Sequence, residues 1–266
     1  MENILAFDIG GSKVSYAVVN KKGNFSTEVT KIITPSNKSD IAAIIESAAN
    51  KYKPEGLAVA TAGVVYNNKL CGKPNNLPAG YEDINFSELS GLPCLLENDA
   101  NAATWAEYKS GSLQNYSHCA LLTLGTDVGC GLILNGALYY GKCGAAGEVA
   151  FAASGRELAK LAQQAGLDES DCFVLYELAQ KGHETAQQTY LTWLKNLQQS
   201  LILLNQILDV EAIALSGSLA KIVDYKSLNA ELKKTFRHNT PLVMPAMAEN
   251  NAGLIGAALL FFEQHK

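Results

Sequence analysis

Apolar residues fall along this chain in short dense runs, separated first by glycine turns and later by long stretches of helical spacing. Ile4-Leu5-Ala6-Phe7 reads as a buried strand that enters the turn Asp8-Ile9-Gly10-Gly11-Ser12-Lys13, and residues 14–19 resume as a second strand. Residues 25–33 read as a third strand, and residues 40–52 as a helix with Ile41, Ile44, Ile45 and Ala48 on one face. A buried strand over residues 56–60 ends at Thr61-Ala62-Gly63, a loop-rich stretch covers residues 64–92, and residues 93–96 end another buried strand. Asp99 then stands where a helix over residues 100–108 begins.

The second half opens as the first did. A strand over residues 119–124 enters the turn Gly125-Thr126-Asp127, and a second strand leaves it over residues 128–134. Helical spacing follows over residues 155–165, 172–181 and 184–208, the last with a stripe of Tyr190, Leu194, Leu197, Leu201, Leu204 and Leu208 that reads as core or as a dimer seam. Residues 212–215 form a short buried strand ending at Ser216-Gly217-Ser218, with a helix expected from Leu219. The final helix, residues 252–262, follows Asn250-Asn251 and carries Gly253 and Gly256, which permit close packing. Hairpin-linked strands followed by a helix, a strand and another helix are the order of an actin-like or ribonuclease-H-like half, here met twice.

Composition narrows the classes. The chain has 266 residues, 48% of them hydrophobic, enough for a well-cored protein of one large or two modest domains. Its net charge is −5 and its longest basic runs are the pairs Lys21-Lys22 and Lys233-Lys234, so a nucleic-acid partner is not expected. No leader or membrane span is legible, and a cytoplasmic protein is expected. Cys71, Cys94, Cys119, Cys130, Cys143 and Cys172 show no metal or redox spacing, and most are expected to be small buried hydrophobes.

Several positions can carry chemistry, and each has a plainer reading. Gly10 and Gly11 let backbone amides approach an anion, Ser12 offers a hydroxyl and Asp8 can hold a hydrated magnesium ion; the plainer reading is a glycine hairpin. Asp99 can accept a proton from a substrate hydroxyl, or Asn98 or Asp99 simply caps the helix, the commoner case for such a residue taken alone. Asn76 beside Pro78 suits a polyol or a turn, and Glu148 within Gly144-Ala145-Ala146-Gly147 is a carboxylate in a site or in a flexible turn. Ser216-Gly217-Ser218 either offers amides to a nucleotide or caps a helix with Ser218.

Taken together, Asp8-Ile9-Gly10-Gly11-Ser12-Lys13, Asn76-Leu77-Pro78, Glu97-Asn98-Asp99-Ala100-Asn101-Ala102-Ala103, Leu124-Gly125-Thr126, Gly144 to Glu148, Ser216-Gly217-Ser218 and Ala252-Gly253-Leu254-Ile255-Gly256-Ala257-Ala258 resemble the ROK family of sugar kinases and repressors. The resemblance implies an α/β, two-domain actin-like fold, a duplicated ribonuclease-H-like ATPase, with a cleft between residues 1–115 plus 252–266 and residues 116–251. It implies ATP and Mg2+, a small-molecule sugar and a homodimer. Asp99 would take the proton of a sugar 6-hydroxyl, and Gly63, Asn76, Asn98 and Glu148 would hold the sugar. Asp8 would hold the magnesium directly or through water. Gly10, Gly11, Ser12, Lys13, Gly125 and Thr126 would surround the phosphates, and Ser216, Gly217 and Ser218 would approach the adenosine.

The departures from the family's pattern also carry expectations. Members with the full pattern place a histidine three residues after the glutamate, followed by a zinc-binding cysteine cluster; here Phe151 stands in that place and Ala152-Ala153-Ser154-Gly155-Arg156 follows at once, so no zinc is expected. None of His118, His183, His238 and His265 lies near Glu148 in sequence. By resemblance to zinc-less relatives, an N-acylated hexosamine, with Phe151 facing its acetamido methyl, stands narrowly ahead of glucose. Asp127 and Cys130 replace turn glycines, and a carboxylate among phosphates repels them unless it binds magnesium. The alternatives are a non-catalytic sugar sensor of the same fold and an ATPase indifferent to sugars. Asp8 follows only seven residues, which leaves no expectation of a DNA-binding domain before it.

Overall fold

The computed structural model describes residues 1–236, 238–248 and 251–265. The first three strands, β1 (Asn3–Ile9), β2 (Lys13–Asn20) and β3 (Thr30–Ile33), form an antiparallel meander. After helix α1 (Lys38–Tyr52), β4 (Leu57–Thr61) adds parallel to β1, and β7 (Cys94–Asn98) adds parallel to β4, giving the order β3-β2-β1-β4-β7. Between them a small hairpin, β5 (Val65–Tyr66) with β6 (Lys69–Leu70), a 3-10 turn at Tyr81–Asp83 and the short α2 (Phe86–Ser90) occupy the stretch expected to be loop.

The second sheet repeats the first strand for strand. Helix α3 (Asp99–Ser110) leads to β8 (Cys119–Leu124), β9 (Val128–Leu134) and β10 (Ala137–Leu138), again antiparallel, and β11 (Ala212–Ser216) and β12 (Leu242–Pro245) add in parallel, in the order β10-β9-β8-β11-β12. Helices α4 (Gly155–Gln164), α5 (Cys172–Gln180), α6 (Glu184–Leu208) and α7 (Tyr225–Thr235) cover its outer face, and α8 (Ala252–Gln264) returns to the first sheet. Of the paired asparagines before α8, Asn250 lies outside the described residues. Among the described residues no helix is long and apolar enough to cross a membrane.

Two helices join the halves. α3 and α8 pack on each other and share one buried cluster with both sheets: Ile4, Ala6 and Ala58 from the first, Leu121, Ile133 and Ala214 from the second, Ala102, Ala106, Ala257 and Phe261 from the helices. Their contact is close because it is built from small residues: a Cβ placed on Gly256 would lie 1.7 Å from the Ala102 carbonyl oxygen. The same holds across to the second sheet, where a Cβ on Gly131 would lie 2.0 Å from Thr104 Oγ1. The outer helices have their own core, in which Trp193, Leu197 and Leu201 of α6 are fully buried, and Tyr190 and Leu204 nearly so, with Leu194 and Leu208 at its margin.

Three expectations are corrected. The third strand begins at Thr30 instead of residue 25, because the Thr27 hydroxyl accepts the Val18 amide at 3.0 Å and occupies a ladder position; Phe25 makes only an isolated bridge to Val19. The helix expected from Leu219 is a 3-10 segment, Ser218–Ile222, and the α-helix starts only at Tyr225, where Asp224 caps it. Only Cys119 and Cys130 are buried; Cys94 and Cys172 are half-buried, and Cys71 and Cys143 are exposed.

Gly256→Ala is expected to lower stability by about 2 kcal/mol or more, since neither helix can retreat without opening the shared core. Thermal or urea unfolding of the variant checks this, and a melting temperature equal to wild type would show that the helices have room to separate.

Candidate functional site

The strand ends of both sheets converge. In the first sheet Asp8 pairs with Ala60, Ile9 with Thr61, and Thr61 with Asn98; in the second, Thr123 pairs with Ser216. Parallel strands therefore stop at one level and release their following residues, Gly63, Asp99 and Gly217, into one region, as open α/β sheets do at their carboxyl ends. A cleft of about 650 Å³ lies there, lined among others by Gly10, Gly11, Ser12, Gly63, Asn76, Asn98, Asp99, Thr126 and Glu148. A smaller cavity of about 190 Å³ shares Asp99, Ala100 and Thr123 as a wall and adds Asp8, Lys13, Ser216, Gly217 and the start of α8. Gly125 and Ser218 line neither: the Gly125 amide closes its own turn on the Asp127 carbonyl at 3.1 Å, and Ser218 opens the 3-10 segment behind Gly217.

The choice between cap and free carboxylate at the β7–α3 junction is settled by hydrogen bonds. Asn98 is the cap: its Oδ1 accepts the Asn101 amide at 3.0 Å, and its Nδ2 donates to the Gly63 carbonyl at 3.0 Å. Asp99 is the first helical residue; its Oδ1 accepts the Ala100 amide at 2.8 Å, and the side chain faces the cleft. Burial pushes its pKa up to about 7, and the charges of Asp8 and Glu148 add to the rise. Asp8 is pushed up to about 6 by burial, with Lys13 pulling the other way. The start of α8 lies directly on it: a Cβ on Gly253 would come within 2.9 Å of the Asp8 carboxyl, so that glycine serves the site and not only helix packing.

Close approaches hold the loops. A Cβ on Gly11 would meet the Asn76 Cβ at 2.6 Å, which sets Asn76 against the first glycine turn. The Glu148 loop is clamped at both ends, since a Cβ on Gly144 would meet the Val65 carbonyl oxygen at 2.2 Å and one on Gly147 that of Cys130 at 2.1 Å, each glycine having positive φ. The turn is thus packed against its neighbours at both glycines. The loop is tied to the Asp99 junction as well: the Tyr140 hydroxyl donates at 2.9 Å to Glu97 Oε2, while Glu97 Oε1 accepts the Asn98 amide and the Asn101 side-chain amide. Burial raises the Glu97 pKa. At the end of β4 the buried Tyr81 and Thr61 hydroxyls bond at 2.8 Å and steady the backbone leading to Gly63.

Thr123 and Lys73, which also line the cleft, were given no role from the sequence. Thr123 is a single polar residue inside an apolar strand run, which is a signal; Lys73 gave none. Phe151 is partly buried and, like Val128, Ala146 and Val149, packs against the outer-helix core.

The sequence profile of the ROK family matches residues 4–151 and 149–264. The chain belongs to the ROK family. It is 30% identical to an N-acetylmannosamine kinase of Yersinia pestis (strain Pestoides F) over 96% of this chain and 97% of that one. Profile and relative together class it with the ROK sugar kinases. Its fold is similar to those of a ROK family protein from Streptococcus pneumoniae TIGR4 in complex with sucrose (TM-score 0.87, 23% identity, 99% of each chain). A ROK family glucokinase from Streptomyces griseus in complex with glucose and AMPPNP superposes with a TM-score of 0.81 at 24% identity, over 97% of this chain and 98% of that one. The two mixed five-stranded sheets thus match the actin-like kinase architecture.

The raised Asp99 pKa has a thermodynamic consequence with a definite sign. The folded state holds the proton up to about pH 7 and the unfolded state only to the ordinary value of 3.8, so stability is lost as pH rises between those values. Asp99→Asn, which cannot ionise, should therefore be more stable than wild type by a margin that grows from pH 5 to 7 and levels off above. Thermal melts at several pH values check this; a margin independent of pH would mean that Asp99 ionises normally.

Proposed function

We propose that this chain is an ATP-dependent kinase that phosphorylates the 6-hydroxyl of a hexose or N-acylhexosamine, N-acetylmannosamine first and glucose next. The observation that carries the reading is Asp99: a carboxylate freed from capping duty by Asn98, facing a cleft, with its pKa raised to about 7. The preference for N-acetylmannosamine rests on the relative of that name alone.

In this reading Gly63, Asn76, Asn98 and Glu148 hold the sugar, whose hydroxyls suit amides and carboxylates that accept and donate. Asp99 accepts the 6-hydroxyl proton as the oxygen bonds to the γ-phosphorus and the bond to the bridging oxygen breaks, releasing ADP. Gly10, Gly11, Ser12 and Lys13 on one side and Thr126 on the other enclose the phosphates, with Gly125 behind Thr126 closing the turn that presents it. Ser216 and Gly217, with Ser218 behind them, face the adenosine. One carboxylate at the end of β1 fits a magnesium ion that keeps most of its ligands from phosphate and water, and Asp8 would hold it directly or through water; the ion supplies charge neutralisation at the phosphates. No role is given to zinc.

The repeated sheets and the junction helices support two domains, residues 1–115 with 252–266 and residues 116–251, closing over the ligands and excluding water. A homodimer is supported by the outward face of α6, where Leu203 is 49% and Ile207 70% exposed. We place the reaction in the cytoplasm, where ATP is available.

ATP consumption against a panel of hexoses and hexosamines tests the proposal. Wild type should turn over with N-acetylmannosamine fastest, and Asp99→Asn should lose about 10²–10⁴-fold in kcat while still binding sugar. A folded protein that binds sugar without consuming ATP would be the sensor, and ATP hydrolysis indifferent to every sugar would be the other ATPase.

A further inference from the structure

The turn between β8 and β9 puts Asp127 on the wall of the cleft, which Thr126 and Gly10, Gly11 and Ser12 of the other hairpin also line. That carboxylate adds to Asp99 and Glu148 on the wall of a space proposed to receive a polyanion. It is answered by a neighbour that the sequence did not bring together with it. Arg156, the second residue of α4, presents both guanidinium nitrogens to both carboxylate oxygens, Nη1 to Oδ1 and Nη2 to Oδ2, each at 3.2 Å. The backbone fixes the approach: the Gly155 amide donates to the Gly125 carbonyl at 2.8 Å and the Arg156 amide to the Thr126 carbonyl at 3.2 Å, so the helix start is stitched to the turn residue by residue.

The pair contributes little to the fold. Both side chains are more than half exposed, at 66% and 51%, and exposed ion pairs are nearly neutral for stability. Its effect is on the field in the cleft, because a charge facing an anion across a partly enclosed space is less screened than one on an open surface. Arginine suits the task, its planar fork matching a carboxylate in two bonds and staying charged at every working pH.

Resting on the kinase reading above, we propose that Arg156 sets the affinity for the nucleotide by neutralising Asp127 at the phosphate-facing turn. It acts through Asp127 and is a positioning residue. The Asp127 carboxylate then needs no metal to coexist with phosphates, and a residue that argued against turnover becomes compatible with it.

A double-mutant cycle read by calorimetric titration of MgATP separates the possibilities, with wild type, Asp127→Asn, Arg156→Gln and the double variant compared at low and high salt. Arg156→Gln should weaken MgATP roughly three- to tenfold at low salt and less at high salt, having left an unpaired carboxylate beside the phosphates. Asp127→Asn should bind MgATP at least as well as wild type, and the double variant should match Asp127→Asn. An Arg156→Gln variant indistinguishable from wild type overturns the proposal, as does a loss that persists undiminished in the Asp127→Asn background, which would make Arg156 a direct phosphate ligand. A wild type that binds no MgATP would overturn the kinase reading itself, which is a different outcome from four proteins that bind it equally.

Discussion

Asp99 is buried at the meeting of two sheets, where the charges of Asp8 and Glu148 oppose its ionisation, and the rest of the molecule is arranged around that constraint. Burial, with the charges of Asp8 and Glu148 adding to it, keeps the Asp99 proton bound to about pH 7. The arrangement is costly to the fold, and the structure offsets the cost locally with Lys13 and with the start of α8 over Asp8. A site strained by like charges is what a proton acceptor needs and what a stable core would avoid.

The duplicated sheets make the crowding possible. Each contributes a glycine hairpin and a set of parallel strand ends at one level, and α3 and α8 lie between them with Gly256 on Ala102. Asp99 is the first residue of one of these helices and Gly253 the second of the other, so the packing that joins the halves also brings Asp99 and the Asp8 carboxyl to one cavity. Glu97 extends the coupling: one buried carboxylate holds Tyr140 on the Glu148 loop with one oxygen and the Asn98 junction with the other.

Much of this was legible in the residues. The repeated order of hairpin, helix and strand predicted the two sheets, and α6 runs over residues 184–208 as its apolar stripe indicates. Asp99, Asn76, Glu148 and the first glycine turn were readable because each is polar or small where an apolar or bulky residue would otherwise stand. What was not legible depended on contacts between distant segments. Nothing local shows that Gly253 sits on Asp8, that Arg156 meets Asp127, or that Phe151 packs against the outer-helix core. Local patterns also misled where a side chain stood in for backbone, as the Thr27 hydroxyl does before β3, and where a 3-10 segment took the place of a helix start after Ser218.

The central claim is that Asp99 works as a base because its surroundings have moved its ionisation into the physiological range. The most direct test is the pH dependence of kcat/KM for the preferred sugar. A single ionisation near pH 7, with the rate rising as the group loses its proton and flat above, is what the burial of Asp99 requires. A rate already at its plateau at pH 5 would contradict it, since an ordinary carboxylate would then be at work.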